Sequence, residues 1–337
     1  MRRALLTIDE TSFRRCHALV RVVFGRRGAA LLALDPREEP CVRGFQPHAG
    51  VDVVLEGTAI PERAGYETFV GWSVGGSSSH VERRFVVSGP RRLARRGGEL
   101  VAELDGPVQP TKLSLAHEYG GISRGVPYVR NPIGKGFCTD ERDLDGLALP
   151  EVEELGARLD PSKLLARDPI DPALPLPAWV GAVPRGVLNR SLHGHFEATL
   201  RGTAAASPDW VAASHAAAPS SRLARYEVGA RATVTGCGAP LSIELPALPR
   251  IAAAVEGRAV PVSPVVQTLA LRPADEAGEA TLALDLRCDF DLPRAFLPGV
   301  HARIPVELHV LGETVAYEPP PAVLRDILRS GVSIPGL

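Results

Sequence analysis

Three short strings in this chain have residue types and spacings suited to chemistry. Gly71-Trp-Ser-Val-Gly75 has the G-x-S-x-G form of a nucleophile elbow. Such an elbow thrusts its serine from a sharp strand-to-helix turn, where a helix N-terminus helps hold an oxyanion. The residues that follow, Gly76-Ser-Ser-Ser-His-Val-Glu-Arg-Arg-Phe-Val-Val87, read as a glycine-serine turn entering a β-branched strand. A hairpin is therefore expected, with a β-rich serine hydrolase using Ser73 as the alternative. Gly134-Lys135-Gly136 invites a phosphate reading, but a P-loop needs G-x-x-x-x-G-K-[ST]. Val129 stands where the first glycine belongs and Gly136 where Ser or Thr belongs. His193-Gly-His195 would place two imidazoles on one strand face, continued by Glu197, a set able to hold a metal with open positions. No second Cys, His or Asp cluster is tied to it by spacing, so surface histidines are expected and neither a metal nor a cofactor is assigned. The 39 acidic residues allow too many pairs for a glycosidase-type couple to be chosen.

The densest signal lies in His117-Glu-Tyr-Gly-Gly121 and Tyr128-Val-Arg-Asn-Pro-Ile-Gly-Lys-Gly-Phe137. Neither a helical nor a strand period accounts for these glycines. Glycine costs backbone entropy in a regular element, so the density marks turns with positive φ or close backbone approach. From the residues alone this is an ordered, unusual surface loop, and no reaction follows from it.

The elements that must position such a loop read as strands. In Thr281-Leu-Ala-Leu-Asp-Leu-Arg-Cys-Asp-Phe290 the apolar Leu282, Leu284, Leu286, Cys288 and Phe290 share one face, with Asp285, Arg287 and Asp289 expected in water on the other. Val51, Val53 and Leu55 repeat the pattern, as do Val228 to Val234, Leu241 to Leu245 and Ile304 to Val310. Pro305 suggests that the last of these is an edge. With 33 Gly and 31 Pro in 337 residues, the chain cannot be rich in long helices, and a helical bundle is not expected. Short helices are expected after Ser207, within Glu151 to Leu165 and near Val323 to Arg329. The expected fold is mainly β, with two antiparallel sandwich or barrel-like lobes and a few short helices. The lobes are placed at 1–167 and 185–337, joined by a stiff proline-rich crossover at 168–184.

Charge sets limits on partners. There are 38 basic and 39 acidic residues, a net −1, so no basic field exists to release counterions from nucleic acid. The runs Arg91, Arg92, Arg95, Arg96 and Asp140, Glu141, Asp143, Asp145 are expected to be solvated faces. No apolar run of membrane-spanning length occurs, and the five scattered cysteines fit free thiols in a reducing cytoplasm. No nucleic acid, no membrane and a cytoplasmic location are expected.

The pairing of Tyr119-Gly-Gly121 with Arg130-Asn-Pro-Ile-Gly-Lys-Gly-Phe137 resembles a bacterial family catalogued as domain of unknown function 2169, found in type VI secretion gene clusters. Asp52-Val-Val-Leu-Glu-Gly-Thr-Ala59 is similar to the family's early strand. Phe85-Val-Val-Ser-Gly-Pro-Arg-Arg92 resembles its next one, with Pro90 in place of the usual aspartate. Pro177-Ala-Trp-Val-Gly181 and Ala217-Ala-Pro-Ser-Ser-Arg222 are similar to later segments, so the likeness runs from about Asp52 to about Leu245. His193-Gly-His-Phe-Glu197 departs from the Gly-Thr-Tyr-Asp that members often carry.

The resemblance implies an adaptor or chaperone, not a catalyst, that loads a secreted effector onto the secretion spike. Its implied partners are the effector and the spike or spike-tip proteins. A structural component of a phage-tail-like particle is a further alternative. The implied protein-binding residues are Tyr119, Gly120, Gly121, Tyr128, Arg130, Asn131, Pro132, Gly134, Lys135, Gly136 and Phe137. Arg130 would offer a bidentate fork, and Tyr119, Tyr128 and Phe137 would anchor an interface. An internal role is the other expectation: Asn131 capping a turn, Arg130 tying the loop down and the glycines permitting its path.

Overall fold

The computed structural model describes residues 5–8, 15–25, 28–32, 50–63, 65–128, 131–166, 174–178, 221–274, 279–292 and 306–316. Their regular elements are β-strands and three single 3-10 turns, so the protein is mainly β, as expected. Two compact units emerge. One comprises residues 48–247 and 268–283; the other comprises 1–47, 248–267 and 284–337.

The first unit is built on a five-stranded antiparallel sheet in the order Val152–Glu154, His80–Ser88, Glu67–Gly75, Arg231–Thr235, Leu241–Glu244. Alternation makes it amphipathic. Val70, Trp72 and Val74 are buried, while Phe69 and the small Gly71, Ser73 and Gly75 face outward. Each large apolar side chain on the inward face contributes about 1.5–3 kcal/mol by leaving water.

Arg83 lies opposite Trp72 on that inward face and is only 4 % exposed. A buried guanidinium must find acceptors. Its Nε donates to Glu154 at 3.0 Å and its Nη2 to the Ala178 carbonyl at 3.1 Å. Its Nη1 donates to Ser221 Oγ, and the cation sits 5.2 Å from the centre of the Phe85 ring. One side chain thus pins the sheet to two returning segments of the chain.

Several expectations are corrected by burial. Val51–Leu55 is buried on both faces, and it is an inner strand, paired in parallel with Thr268 to Leu271 and antiparallel with Arg222–Leu223. The Asp52 carboxylate, with no water to face, accepts from Arg222 Nε at 3.0 Å. The expected helix within Glu151 to Leu165 is a strand, Val152–Glu154, followed by a 3-10 turn at Pro161–Lys163. Ladder bonding to Phe85, Val86 and Val87 overrides the weak local helix preference there.

The second unit contains a four-stranded antiparallel sheet in the order Arg258–Val260, Ile251–Val255, Val306–Val310, Glu313–Ala316. Val306–Val310 is an inner strand, not an edge, paired with Ile251–Val255 on one side and Glu313–Ala316 on the other; Pro305 lies outside the described residues. Leu5–Ile8, Arg15–Gly25 and Gly28–Leu32 form a second antiparallel group in this unit. In Thr281–Asp291 the polar face is not open to water at Asp285, which is 5 % exposed and takes both Arg21 Nε (2.5 Å) and Nη2 (2.8 Å). The segments around Ser207 and Val323 lie outside the described residues, as does most of the 168–184 crossover; Leu174 to Ala178 are described.

Replacing Arg83 with the apolar Met leaves the Ala178 carbonyl and Ser221 hydroxyl buried without their donor. Arg83→Met is expected to lower unfolding stability by about 3 kcal/mol in urea denaturation. A loss below about 1 kcal/mol would show that these acceptors find other partners.

Candidate functional site

The glycine-dense stretch folds as a corner around one side chain. Asn131 is wholly buried. Its Nδ2 donates to the carbonyls of Leu115 (2.8 Å) and Tyr119 (3.0 Å), and its own carbonyl accepts from the Gly121 amide at 2.8 Å. Its backbone N–H donates to Tyr128 at 3.1 Å, and Oδ1 lies 3.4 Å from the Ile133 amide. Tyr119–Gly120 then pairs in parallel with Lys135–Gly136, closed by Lys135 N donating to Glu118 (2.9 Å) and Phe137 N to Gly120 (3.0 Å).

Chain can pass so close only where side chains are missing. A Cβ at Gly120 would overlap the Asn131 carbonyl, and one at Gly134 would overlap both the Asn131 amide and the Glu118 carbonyl. These two glycines are there for close approach.

Beneath the corner, Tyr119, Tyr128 and Phe137 are 3 %, 0 % and 3 % exposed. Tyr128 meets Tyr119 edge-on at 5.2 Å between ring centres and stacks on Phe137 at 5.3 Å. Leu93, Leu144, Leu149, Leu164 and Leu174 complete the cluster. The Tyr128 hydroxyl donates to the Pro175 carbonyl at 2.9 Å, and burial pushes the Tyr119 phenol up, so that hydroxyl keeps its proton. These aromatics fill the core of their own unit. Gly121, Pro132 and Gly136 are buried too, Gly134 and Lys135 are half-buried, and Arg130 lies outside the described residues.

What the stretch shows to solvent is a different set. Ile122–Ser123 and Val126–Pro127 form a two-residue hairpin with Arg124 (φ 49°) and Gly125 (φ 82°) at its tip. Positive φ at both positions is the type I′ turn, whose twist matches the strands. Ile122 is 64 % exposed, and Val126 and Ile133 are each 37 % exposed. The sequence reading passed over these residues. Arg at the first turn position, where Asn or Asp is usual, hid the hairpin signal. Ser123 Oγ lies 2.9 Å from Thr139 Oγ1, and Arg124 grips both Asp143 oxygens at 2.6 and 2.9 Å, which fastens the tip to the next turn. The Asp143 carboxyl is lowered by that guanidinium.

At the base, the Glu151 carboxylate bridges His117 Nδ1 (2.7 Å) and Lys135 Nζ (2.5 Å). The hydrogen bond from His117 and then that from Lys135 hold its carboxyl down at about 2. Gly134-Lys135-Gly136 is thus part of a strand pair with a committed lysine. The arginine run is not simply a solvated face either: Arg91 reaches inward to Glu153 and to the Pro150 carbonyl (2.5 Å). Arg95 meets the acidic run through Asp145 (3.1 Å) and Glu141 (3.7 Å).

Ser73 sits mid-strand with its Oγ 2.8 Å from Thr233 Oγ1, and the chain after Gly75 turns directly into the strand His80–Ser88. That is the expected hairpin. Its turn is held by Glu227, which accepts the amides of Ser77 (2.9 Å) and Ser78 (3.1 Å). His193, His195 and Glu197 lie outside the described residues.

The site therefore defines a class: a mainly β protein whose signature loop is internal architecture, with a small apolar hairpin displayed on it. Residues 43–282 match the family described as an uncharacterized protein conserved in bacteria, DUF2169, and the chain belongs to that family. Neither a curated protein nor a solved structure matches it.

Two outcomes test the corner. Asn131→Ala strips the Leu115 and Tyr119 carbonyls of a buried donor and is expected to cost about 3 kcal/mol in denaturant unfolding. Glu151 has its folded pKa below the unfolded one, so its contribution is full above about pH 4.5 and disappears as pH falls through about 2. The stability gap between wild type and Glu151→Gln should therefore close on acidification through that window, read as unfolding midpoints at each pH.

Proposed function

We propose that this chain is a type VI secretion adaptor or chaperone, which binds an effector or its spike-tip domain in the cytoplasm and helps load it onto the spike. The observation that carries the reading is the exposed apolar hairpin Ile122 to Pro127, held on a corner whose backbone is locked by Asn131. Family membership over residues 43–282 and the resemblance of its loop to adaptors in secretion gene clusters support it. Presenting apolar side chains on a braced base suits recognition of a polypeptide, because little conformational entropy is left to lose on binding.

The partner-facing groups on this reading are Ile122, Val126 and Ile133, while Tyr119, Tyr128 and Phe137 brace them from below. A hydrogen-bonded Tyr128, an ion-paired Lys135 and a stapled Asn131 act by positioning.

The test uses each effector and spike protein of the same gene cluster, expressed singly and titrated with the purified chain. Ile122→Asp with Val126→Asp is expected to weaken the productive pair at least ~10-fold, as loss of a small apolar contact would. The unfolding midpoint should move little, since both side chains are exposed. Unchanged affinity in the folded double variant would remove the hairpin from the interface; no binding to any of these proteins would remove the adaptor reading.

A further inference from the structure

The hairpin of Arg91–Arg96 and Glu99–Leu104 leaves one side of its ladder open. Leu93 donates to the Leu147 carbonyl and accepts from the Gly146 amide, both at 2.8 Å, and the Arg91 carbonyl accepts from Leu149 at 2.9 Å. Arg91 and Leu93 therefore bond away from the hairpin, while Arg92, Ala94 and Arg96 bond across it to Glu103, Val101 and Glu99. By the same alternation, the N–H and C=O groups of Leu100, Ala102 and Leu104 point out from the far side of the hairpin. Among the described residues no strand pairs with that side.

An open edge is a template for another strand, and natural chains commonly blunt theirs with a proline, a bulge or a charge turned toward the core. Glu99–Leu104 has an unbroken register, no proline and no charge on its core-facing side. Leu100, Ala102 and Leu104 share the face of the buried Leu93, which belongs to the cluster of Tyr119, Tyr128 and Phe137. Leu100 packs against that cluster, but Ala102 is exposed and Leu104 is 47 % exposed, so the apolar layer runs out at the open edge.

The opposite face of the strand carries Glu99, Val101 and Glu103, and these charges select the occupant. Consider antiparallel pairing with a second copy of the chain. Each register that bonds two or more of Leu100, Ala102 and Leu104 sets Glu99 against Asp105, Glu99 against Glu103, or Glu103 against its own counterpart. Like charges directly opposite destabilise a pair of strands. A strand with cations at those positions gains instead, as the hairpin already does where Arg96 Nε donates to Glu103 at 2.6 Å.

We infer that the edge Leu100 to Leu104 is a strand-addition site for an extended segment of a partner polypeptide in which apolar and basic residues alternate. Backbone bonds to Leu100, Ala102 and Leu104 hold the added strand, and apolar side chains opposite them carry the buried cluster past Ala102. Lysine or arginine opposite Glu99 and Glu103 supplies the selectivity. This surface is separate from the hairpin Ile122 to Pro127, and the inference goes beyond the adaptor reading without depending on it.

The probe is the fluorescein-labelled peptide Val-Lys-Ile-Thr-Val-Lys, with Val-Glu-Ile-Thr-Val-Glu as the acidic control. In hydrogen exchange on the full chain, about 1 mM basic peptide should slow the Leu100, Ala102 and Leu104 amides, a concentration suited to the weakness of so small a contact. By fluorescence anisotropy the acidic peptide should bind at least ~5-fold more weakly, and Glu99→Lys with Glu103→Lys should reverse that order. Ala102→Pro removes one outward N–H and no ladder bond, so the variant should fold and bind the basic peptide at least ~10-fold more weakly. Unchanged exchange at all three amides overturns the proposal whether or not the variants fold, and equal affinity for the two peptides does the same. Slowing that appears without peptide as the chain is concentrated would give the edge to a second copy and overturn it too. Ile122→Asp with Val126→Asp should bind the basic peptide as wild type does, so the strand site and the adaptor reading stand or fall separately.

Discussion

The side-chain amide of Asn131 is committed on every side, and the path of the surrounding chain follows from that commitment. Its two N–H bonds reach the carbonyls of Leu115 and Tyr119, while its backbone joins Gly121 and Tyr128. A buried amide left without partners would cost a few kcal/mol, so the segments that supply its acceptors are held where they are. The approach is so close that Gly120 and Gly134 have no room for a Cβ. Once the corner is closed, Tyr119, Tyr128 and Phe137 must point down into one cluster, and the hairpin Ile122 to Pro127 must project.

Buried charges make comparable decisions further out. Arg83 meets Glu154, Ala178 and Ser221; Arg91 meets Glu153; Arg21 meets Asp285. Such pairs add little net stability over apolar packing, yet a mispaired alternative would strand an ion away from water. They act as selectors among ways of arranging many short strands whose apolar faces are otherwise interchangeable. A chain with 33 glycines, 31 prolines and, among its described residues, no helix longer than a 3-10 turn has particular use for selectors of this kind.

Strands were legible where a regular run had one face in water. The alternation in Arg231–Thr235 and Leu241–Glu244 follows their burial. It misled where both faces are covered, at Val51–Leu55 and Asp285, because a buried carboxylate with a guanidinium partner looks, in sequence, like a solvent-facing one. Glu151 to Leu165 failed as a helix because three ladder positions on the neighbouring strand decide its conformation, and that neighbour is remote in sequence. The glycine-dense stretch was rightly seen as backbone geometry. Its aromatics gave no sign of depth, since Tyr and Phe serve cores and interfaces alike. Ile122, Val126 and Ile133 went unnoticed because isolated aliphatic residues carry no periodic signal.

The burial of that signature bears on how function is to be sought. Within Asn131-Pro-Ile-Gly-Lys-Gly-Phe137, the string that carries most of the resemblance, Asn131, Pro132, Gly136 and Phe137 are buried and Lys135 is tied to Glu151. Residues so placed govern how the chain folds, and substituting them would disturb any partner contact only through the fold. The identity of what is bound must instead be written in side chains that stay exposed, and on this corner the apolar ones are Ile122, Val126 and Ile133.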